Sequence, residues 1–545
     1  MNNRTSSAAA RPGLSGKSPR SLVSALAASS ALGTLGALSL FGCSAAEAER
    51  SDDFDAQGSA KITAALDAST VIATAYDDSA SPVHIQIKTC KSTTSASAHQ
   101  VDCRVNAEYA VVGGGALPTP SGGNSAKAYI TESRPSDART WRASSVEPSA
   151  LAHDLTVYAI GMRLDGVNTQ KLRNAIGWKT ATTSSSSANV TVNADSGKVL
   201  LSGGAFTAPN AGVSGNRVLT ASDWSGSAGW NAQSKAQSGT VAGSTQVTLL
   251  QIDKKVIEGF GVLEVLKRSG STRTTAGGTH TTSLDVQAGW ALAGLGAIAN
   301  TSSGSTRRIT GIAPDATARN ITVTTGDQSG SSAGSTIPYL TQVRKMPGSH
   351  GLCNPGTSLL SSMDSCVASI CSARSSCCSS SWDSTCVSMV QTTCGRSCAA
   401  DTCAPSVFQP AKWQNPDGSP IASNCYYYAQ NKLPDGQGQD PGASLNPDPE
   451  DFTASRLAAL SAGDGLIPSS FSATCPDNRT KVMLSCNSNI FNYHWYRQDV
   501  GGLWSEKFST IGQAQIKENT GYRPYTDVQN NTYEAFFCAC NPALP

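Results

Sequence analysis

Apolar and polar positions alternate in short segments along the first two thirds of the chain, a pattern typical of β-strands that bury one face. Residues 84–88 alternate in this way, whereas residues 155–160 and 247–252 are longer and mainly apolar. Near the end of the chain, residues 452–462 instead carry apolar positions along one side of a helix. The pattern predicts a mainly β protein with an α+β domain at its C-terminal end.

Three stretches of the β-rich region resemble one another when the chain is compared with itself. Residues 111–116 (VVGGGA) match residues 200–205 (LLSGGA), and residues 291–297 (ALAGLGA) form a more divergent third copy. The comparison predicts three repeat units of roughly ninety residues each. We place their recognisable parts at about 104–165, 195–255 and 288–345 within a β-rich region of residues 81–350. Three separate sandwiches and one threefold body are both compatible with this pattern.

A tryptophan follows the glycine-rich segment at the same distance in the first two copies, at Trp141 and Trp230. Asn320 lies near the corresponding place in the third copy. An aromatic ring at a fixed position in a β-unit either fills its core or stacks on a ligand such as a sugar. Trp141 and Trp230 are therefore candidate ligand-binding aromatics, with a core role as the alternative.

Cysteine is concentrated in residues 353–403, which contain nine of the seventeen cysteines of the chain. Their irregular spacing and the absence of histidine among them favour disulfides over a zinc site. A segment this short buries little apolar surface, so disulfides compensate for a small core. We predict a disulfide module at residues 351–403, and no metal or cofactor. The disulfide candidates along the chain are Cys90, Cys103, Cys353, Cys366, Cys371, Cys377, Cys378, Cys386, Cys394, Cys398, Cys403, Cys475, Cys486, Cys538 and Cys540.

The pairs Cys377-Cys378, Trp382-Asp383 and Cys386-Val387 give this module a recognisable pattern. The pattern resembles a small cysteine-rich module of secreted myxobacterial proteins. The resemblance covers about fifty residues and implies a location outside the cytoplasm more than an activity.

The first forty-three residues combine a basic start with an apolar run that ends in Leu-Phe-Gly-Cys. Such a segment is typical of an export signal, and its ending resembles a bacterial lipobox with Cys43 as the lipidated residue. The alternatives are an ordinary signal peptide that is cleaved nearby and an uncleaved membrane anchor. Residues 44–80 are predicted to form a flexible tether to the outer membrane or cell surface. A net charge of +2 at 15% charged residues provides no basic surface for nucleic acid.

The C-terminal domain, predicted at residues 404–545, contains Asn-Cys-Tyr-Tyr-Tyr-Ala from Asn424 and His-Trp-Tyr-Arg from His494. It resembles an uncharacterised family of bacterial secreted domains with these motifs. The chain departs from that family at Glu506 and Phe508, where His and Pro are expected, and near Glu518, where Asp is expected.

A cysteine at a helix start followed by a histidine on a later strand is the order found in papain-like and cell-wall-peptidase-like hydrolases. The catalytic candidates are Cys425 and His494, with Glu518, Asn519 or Asp499 to orient the imidazole. Asn424 is a further candidate, as an oxyanion-hole donor. The alternative is a structural disulfide through Cys425, for example to Cys538, which would abolish the nucleophile.

Two functions therefore remain in competition. The first is a cell-surface or secreted lipoprotein that binds a polysaccharide or another surface ligand without catalysis. The second is an extracellular cysteine hydrolase whose C-terminal domain cleaves a peptide or amide bond. Residues 44–350 contain no complete catalytic motif, which favours the binding function.

Overall fold

Antiparallel strands make up most of the described chain in this computed structural model, and the prediction of a mainly β protein with a small disulfide-rich helical region is confirmed. Among the described residues, no helix is long and apolar enough to cross a membrane. The structure describes residues 69–74, 82–121, 127–185, 187–209, 217–236, 242–275, 278–301, 307–327, 333–398, 403–434, 440–445, 447, 453–476, 478–487, 493–507, 514–518 and 531–541.

The β-rich region consists of three six-strand units with the same order of pairing. The first unit contains β2 (Val83–Lys91), β3 (Ala98–Arg104), β4 (Ala110–Pro120), β5 (Tyr129–Pro135), β6 (Thr140–Val146) and β7 (His153–Leu164), and β1 (Ser69–Thr74) extends its edge. Helix α1 (Thr169–Ala175) leads to the second unit, β8 (Gly177–Ser185), β9 (Ser187–Asn193), β10 (Lys198–Pro209), β11 (Arg217–Ser225), β12 (Gly229–Ala236) and β13 (Gly243–Asp253). The third unit contains β15 (Gly261–Ser269), β17 (His280–Asp285), β18 (Ala291–Thr301), β19 (Arg307–Pro314), β20 (Asn320–Asp327) and β21 (Gly334–Lys345), with the short β14 (Val256–Ile257) and β16 (Arg273–Thr275) at its edge.

Each large sheet of this region is shared between two units. The strand orders are β1-β2-β7-β4-β19-β20-β17, β3-β6-β5-β10-β13-β8, and β14-β15-β21-β18-β11-β12-β9 with β16 beside β21. In each sheet, three strands of one unit lie beside three strands of another. The first unit pairs with the second, the second with the third, and the third with the first, so the arrangement closes into a cycle. The joints between units are β4 with β19, β10 with β5, and β18 with β11. The three units therefore form one body with threefold topology rather than three separate sandwiches.

Glycines make these joints possible because the neighbouring backbone lies where a side chain would be. A Cβ on Gly115 would collide with the carbonyl oxygen of Ile312, and one on Gly204 with that of Ser133. At the third joint, a Cβ on Gly296 would lie 2.7 Å from the carbonyl oxygen of Ser222. The recurring glycine of the sequence motif is therefore a requirement of close strand approach.

The cysteine-rich module is helical and lies directly after the third unit. It contains β22 (Gly356–Thr357), α2 (Ser365–Ala373), α3 (Ser376–Ser379), β23 (Ser381–Trp382) and α4 (Ser384–Cys394). Four disulfides close it: Cys353–Cys398, Cys366–Cys394, Cys371–Cys378 and Cys377–Cys386. Trp382 is fully buried among these bridges and donates its indole N–H to the carbonyl of Leu352 at 2.8 Å. The bridges stabilise a core too small to be stable by apolar burial alone.

The C-terminal domain is a six-stranded antiparallel sheet of order β24-β29-β25-β26-β27-β28, with helices α5 and α6. Its elements are α5 (Cys425–Ala429), α6 (Ala454–Gly463), β24 (Ile467–Ser469), β25 (Thr480–Asn487), β26 (Tyr493–Gln498), β27 (Trp504–Lys507), β28 (Ala514–Glu518) and β29 (Asn531–Ala539), with 3-10 turns at Pro410–Trp413 and Ala443–Leu445. The predicted helix at 452–462 begins at Ala454 because the Thr453 side chain accepts a hydrogen bond from the N–H of Arg456 and caps it.

A buried ion pair attaches this domain to the first β-unit. The Arg456 guanidinium contacts both carboxylate oxygens of Glu108, at 2.5 and 2.7 Å. A bidentate pair of this kind has a fixed geometry, and Glu108 is almost fully buried. This pair joins α6 of the C-terminal domain to the loop before β4 of the first unit.

Candidate functional site

Cys425 and His494 lie on opposite faces of the C-terminal sheet. The ring of Tyr426, next to Cys425, packs on Trp495 at 4.9 Å between centroids, so α5 covers the Trp495 face of β26. His494 packs instead against Tyr496 at 4.8 Å. Neighbouring residues of a strand point to opposite faces, which places the imidazole on the far side of the sheet from α5. The predicted Cys–His dyad does not form.

The sulfur of Cys425 is also unsuited to nucleophilic catalysis. It is disulfide-bonded and fully buried. The suggested partner Cys538 is wrong, because that residue bonds to Cys475. Asn424 does not act as an oxyanion-hole donor: its side chain accepts the N–H of Tyr427 at 3.0 Å and caps α5.

The side chain closest to the His494 ring nitrogen is Glu506, where the sequence was expected to have His. The Nε2 of His494 lies 2.9 Å from a carboxylate oxygen of Glu506, and both side chains are buried. The amide of Gln515 donates to the other carboxylate oxygen at 2.6 Å. These contacts link three neighbouring strands, β26, β27 and β28, on one face of the sheet.

The residues predicted to orient His494 are placed elsewhere. Asp499 accepts from the Arg497 guanidinium at 2.9 Å and from the Ser505 hydroxyl at 2.5 Å. Glu518 is the last residue of β28, and its backbone is paired with Trp504. Asn519 lies outside the described residues, as does Cys43.

Trp141 and Trp230 are core residues, so their assignment as ligand-binding aromatics is wrong. They are 1% and 0% exposed. Each indole N–H donates to a serine hydroxyl of the neighbouring strand, Ser133 at 3.0 Å and Ser222 at 3.1 Å. No ligand can reach either ring without unfolding the unit.

A different aromatic group lies at the joint between the second and third units. The Asp223 carboxylate, only 5% exposed as a residue, accepts a hydrogen bond from the Asn231 amide at 3.3 Å. The carbonyl oxygen of that amide accepts from the hydroxyl of Thr191 at 3.1 Å. These three residues lie in one register row across β11, β12 and β9. A carboxylate and an amide thus lie side by side below the surface.

Trp224 and Tyr339 lie beside this row and remain partly exposed. Their rings meet edge to face at 5.3 Å. The ammonium of Lys267 lies 5.4 Å from the Trp224 ring and donates to the carbonyl of Gly226 at 3.3 Å. The indole N–H of Trp224 is buried and meets no acceptor among the described residues. We call Asp223, Trp224, Asn231, Lys267 and Tyr339 the joint cluster.

Burial changes the acid–base behaviour of the joint cluster. It raises the pKa of Asp223 to about 7, and the hydrogen bond from Asn231 opposes this shift. Burial and the nearby Asp223 carboxylate raise the pKa of Tyr339, while burial lowers the pKa of Lys267. Asp223 therefore changes its charge near neutral pH.

The other two joints lack this group of residues. Arg134 and Ala313 occupy the place of Asp223, since each lies at the third position after the bulge in its strand. Pro135 and Pro314 likewise take the place of Trp224. The first joint also buries a carboxylate, Glu132, but Arg134 pairs with it at 2.8 Å, whereas the side-chain partner of Asp223 is the neutral Asn231 amide. Comparing the three stretches residue by residue could have found this difference in the sequence.

Residues 348–398 match the family described as a domain of unknown function, DUF8252. No curated protein matches the chain. Among the described residues there is no group of three or more His, Cys, Asp or Glu side chains that could hold a metal ion. The seven disulfides that join described cysteines indicate an extracellular environment: the four of the module together with Cys90–Cys103, Cys403–Cys540 and Cys475–Cys538.

Proposed function

We propose that this chain is an extracytoplasmic binding protein that recognises neutral saccharides at the joint cluster. The observation that carries the proposal is the buried Asp223–Asn231 pair with the partly exposed Tyr339 ring near its carboxylate and Trp224 edge to face with Tyr339, at one of three otherwise equivalent joints. Burial of a carboxylate beside a neutral amide costs free energy that the Arg134 guanidinium offsets for Glu132 at the first joint. A perturbed titratable group in such a place is typical of a functional site.

The chemistry of the joint cluster fits sugar rings. The Asn231 amide holds the Asp223 carboxylate in place, and a carboxylate has further lone pairs that accept hydrogen bonds from the hydroxyls of a saccharide. Aromatic faces suit the apolar C–H face of a sugar, and a few polar groups among aromatic side chains are typical of small-molecule sites.

Location is the second part of the proposal. The chain is proposed to be exported to the cell surface, with residues 44–80 as tether; the support is the export-signal pattern that ends at Cys43. Fractionation of the producing cells should recover the protein outside the cytoplasm. Recovery in the cytoplasm would remove this part of the proposal.

Retention of the mature full-length protein on insoluble xylan, mannan, chitin and dextran beads tests the saccharide proposal. At least one polymer is expected to retain the wild type, and Trp224→Ala and Asp223→Asn should each weaken retention by about tenfold. Wild-type binding should strengthen as the pH rises through about 7, because ionised Asp223 accepts stronger hydrogen bonds. Asp223→Asn should lose this pH dependence.

Thr322→Ala is the matched control, because Thr322 pairs with Ala313 at the third joint as Asn231 pairs with Asp223. Thr322→Ala should bind like the wild type. The comparison includes only variants whose melting temperatures match that of the wild type. Absence of wild-type retention on every polymer contradicts the proposal. So does unchanged retention of both folded joint-cluster variants.

A further inference from the structure

The first strand of the second unit, β8, lies at an open edge of its sheet. Among the described residues, β8 (Gly177–Ser185) pairs with β13 alone. All nine residues of β8 pair in register, without a bulge. The even-numbered residues from Trp178 to Ser184 are exposed. The side of β8 that faces away from β13 therefore presents a straight row of backbone donors and acceptors, which we call the β8 edge.

The corresponding strands of the other two units are covered or charged. In the first unit, β1 (Ser69–Thr74) pairs antiparallel with β2. In the third unit, β14 covers the beginning of β15, and the rest of β15 contains Glu264, Lys267 and Arg268. Covering strands and charged side chains both protect an edge from association. The β8 edge has no covering strand among the described residues, and Lys179 is the only charged residue of β8.

The side chains of β8 suit an interface between strands. Trp178, Thr180, Thr182 and Ser184 share one face, because alternate residues of a strand point to the same side. Threonine and tryptophan both favour β-structure. Trp178 is 38% exposed, and aromatic side chains are enriched at protein interfaces. A second strand beside β8 would cover part of this ring.

Two copies of β8 are complementary to each other. Full antiparallel overlap of two identical strands puts the middle residue, Ala181, at the twofold axis. Thr180 of each copy then lies opposite Thr182 of the other copy, and Trp178 lies opposite Ser184. Opposed residues belong to the same face of their strands, so the pleats of the two strands match. Pairs of threonines and pairs of aromatic with small hydroxyl side chains are compatible with cross-strand contact.

The single charge of β8 does not oppose this pairing. In the same overlap Lys179 lies opposite Thr183 of the second copy, so the two lysines do not meet. Lys179 already contacts Asp195 of its own chain at 2.7 Å. Directly opposed like charges, which destabilise a strand pair, are therefore absent from β8 paired with itself.

We infer that two copies of this chain associate through their β8 edges, so that two six-stranded sheets join into one continuous sheet. A single pair of strands buries less surface than the roughly 1,200 Å² of a stable interface, so the dimer is weak and reversible. The joint cluster has no residue on β8. The inference therefore does not depend on saccharide binding.

Sedimentation equilibrium of the mature full-length protein between about 10 and 500 µM tests this inference. The wild type should change from monomer to dimer within this range. Trp178→Ala should weaken the dimer by about threefold or more, because it removes the ring that lies opposite Ser184. A wild type that stays monomeric throughout would overturn the inference and leave the β8 edge to an extended segment of another protein.

Charged substitutions at the centre of β8 provide a sharper test. Thr180→Lys combined with Thr182→Lys puts lysines opposite lysines in the dimer and should weaken it by at least about fivefold. Thr180→Glu combined with Thr182→Glu should do the same. An equimolar mixture of the two double variants should associate more tightly than either alone, because each introduced lysine then faces a glutamate. Damage to the fold cannot produce this recovery.

Thr281→Lys combined with Ser283→Lys is the matched control. Both residues are exposed on β17, at the edge of a different sheet, and the change in charge is the same. This variant should dimerise like the wild type. Unaltered association of the lysine variant of β8, an equal loss in the control, or no recovery in the mixture would each contradict the inference, provided that the melting temperatures match that of the wild type.

Discussion

Replacing Gly203 by leucine and Trp230 by isoleucine together is expected to restore much of the stability that either change removes alone. Gly203 lies against the Trp230 indole, and a Cβ at this glycine would collide with the ring. The third unit has Leu295 and Ile321 at these two places. The third unit therefore fills this volume with two medium-sized side chains, whereas the second unit fills it with one large side chain beside a glycine.

The single changes should each be costly. Trp230→Ile leaves a cavity and should lower the free energy of unfolding by about 2–4 kcal/mol. Gly203→Leu forces the ring or the backbone to move and should cost about 1–3 kcal/mol or more. In the double variant the leucine fills the cavity, so the total loss should be smaller than the sum of the two single losses by at least about 1 kcal/mol. Urea unfolding followed by far-ultraviolet circular dichroism measures these differences.

Gly204→Leu combined with Trp230→Ile is the control for this experiment. Gly204 is the next residue, but a Cβ there would collide with the backbone of Ser133 and Arg134 at the joint between units. The leucine cannot fill the Trp230 cavity from that position, so no recovery is expected. Recovery of stability in this control would contradict the prediction. So would losses of unfolding free energy that are strictly additive in the Gly203→Leu, Trp230→Ile variant, because the cores of the second and third units would then not be equivalent.

Neither Cys425 nor Cys486 is expected to react with iodoacetamide in the folded, unreduced protein. Cys425 is disulfide-bonded. Cys486 is a free cysteine, but it is buried, and burial raises the pKa of its thiol to about 12. At pH 8 roughly one such thiol in ten thousand would be ionised. Peptide mapping by mass spectrometry should show both positions unmodified.

Unfolding without a reductant should expose Cys486 to alkylation and leave Cys425 unmodified. Cys486→Ser provides the control, because this variant should lose the modification at that position in the unfolded state. His494→Ala should not change the result, since the imidazole lies on the other face of the sheet from Cys425. Rapid alkylation of Cys425 in the native protein at pH 6, slowed by His494→Ala, would contradict the structure and favour a hydrolase.

The Cys–His hypothesis failed because it relied on residue order alone. Cys425 at a helix start and His494 on a strand are compatible with a catalytic dyad, but β-strand alternation leaves two possible faces for the histidine. The side of the sheet on which α5 packs decides between them, and that packing depends on contacts between residues far apart in sequence. The pairing of His494 with Glu506 has the same origin, since it needs the register of β26 and β27.

The tryptophans show a similar limit. Equal spacing indicated that Trp141 and Trp230 have the same role, but a core ring and a ligand-binding ring produce the same spacing. Asn320 was placed one position away from the structural equivalent, because the strand register puts Ile321 opposite Pro314. The joint cluster could not be predicted from the sequence, because Asp223 and Tyr339 are distant in sequence and become neighbours only when two units share a sheet.

The sequence by itself determined what depends on local chemistry: mainly β structure from alternation and glycine, a disulfide-rich helical module from cysteine density, and a helix near residues 452–462 from apolar periodicity. Only the tertiary structure decided that the three units form one cyclic body, which cysteines bond, and which residues share a face. The physical reason is that strand pairing and disulfide partners depend on long-range contacts. Side-chain alternation limits each strand to two faces but does not select the strand beside it.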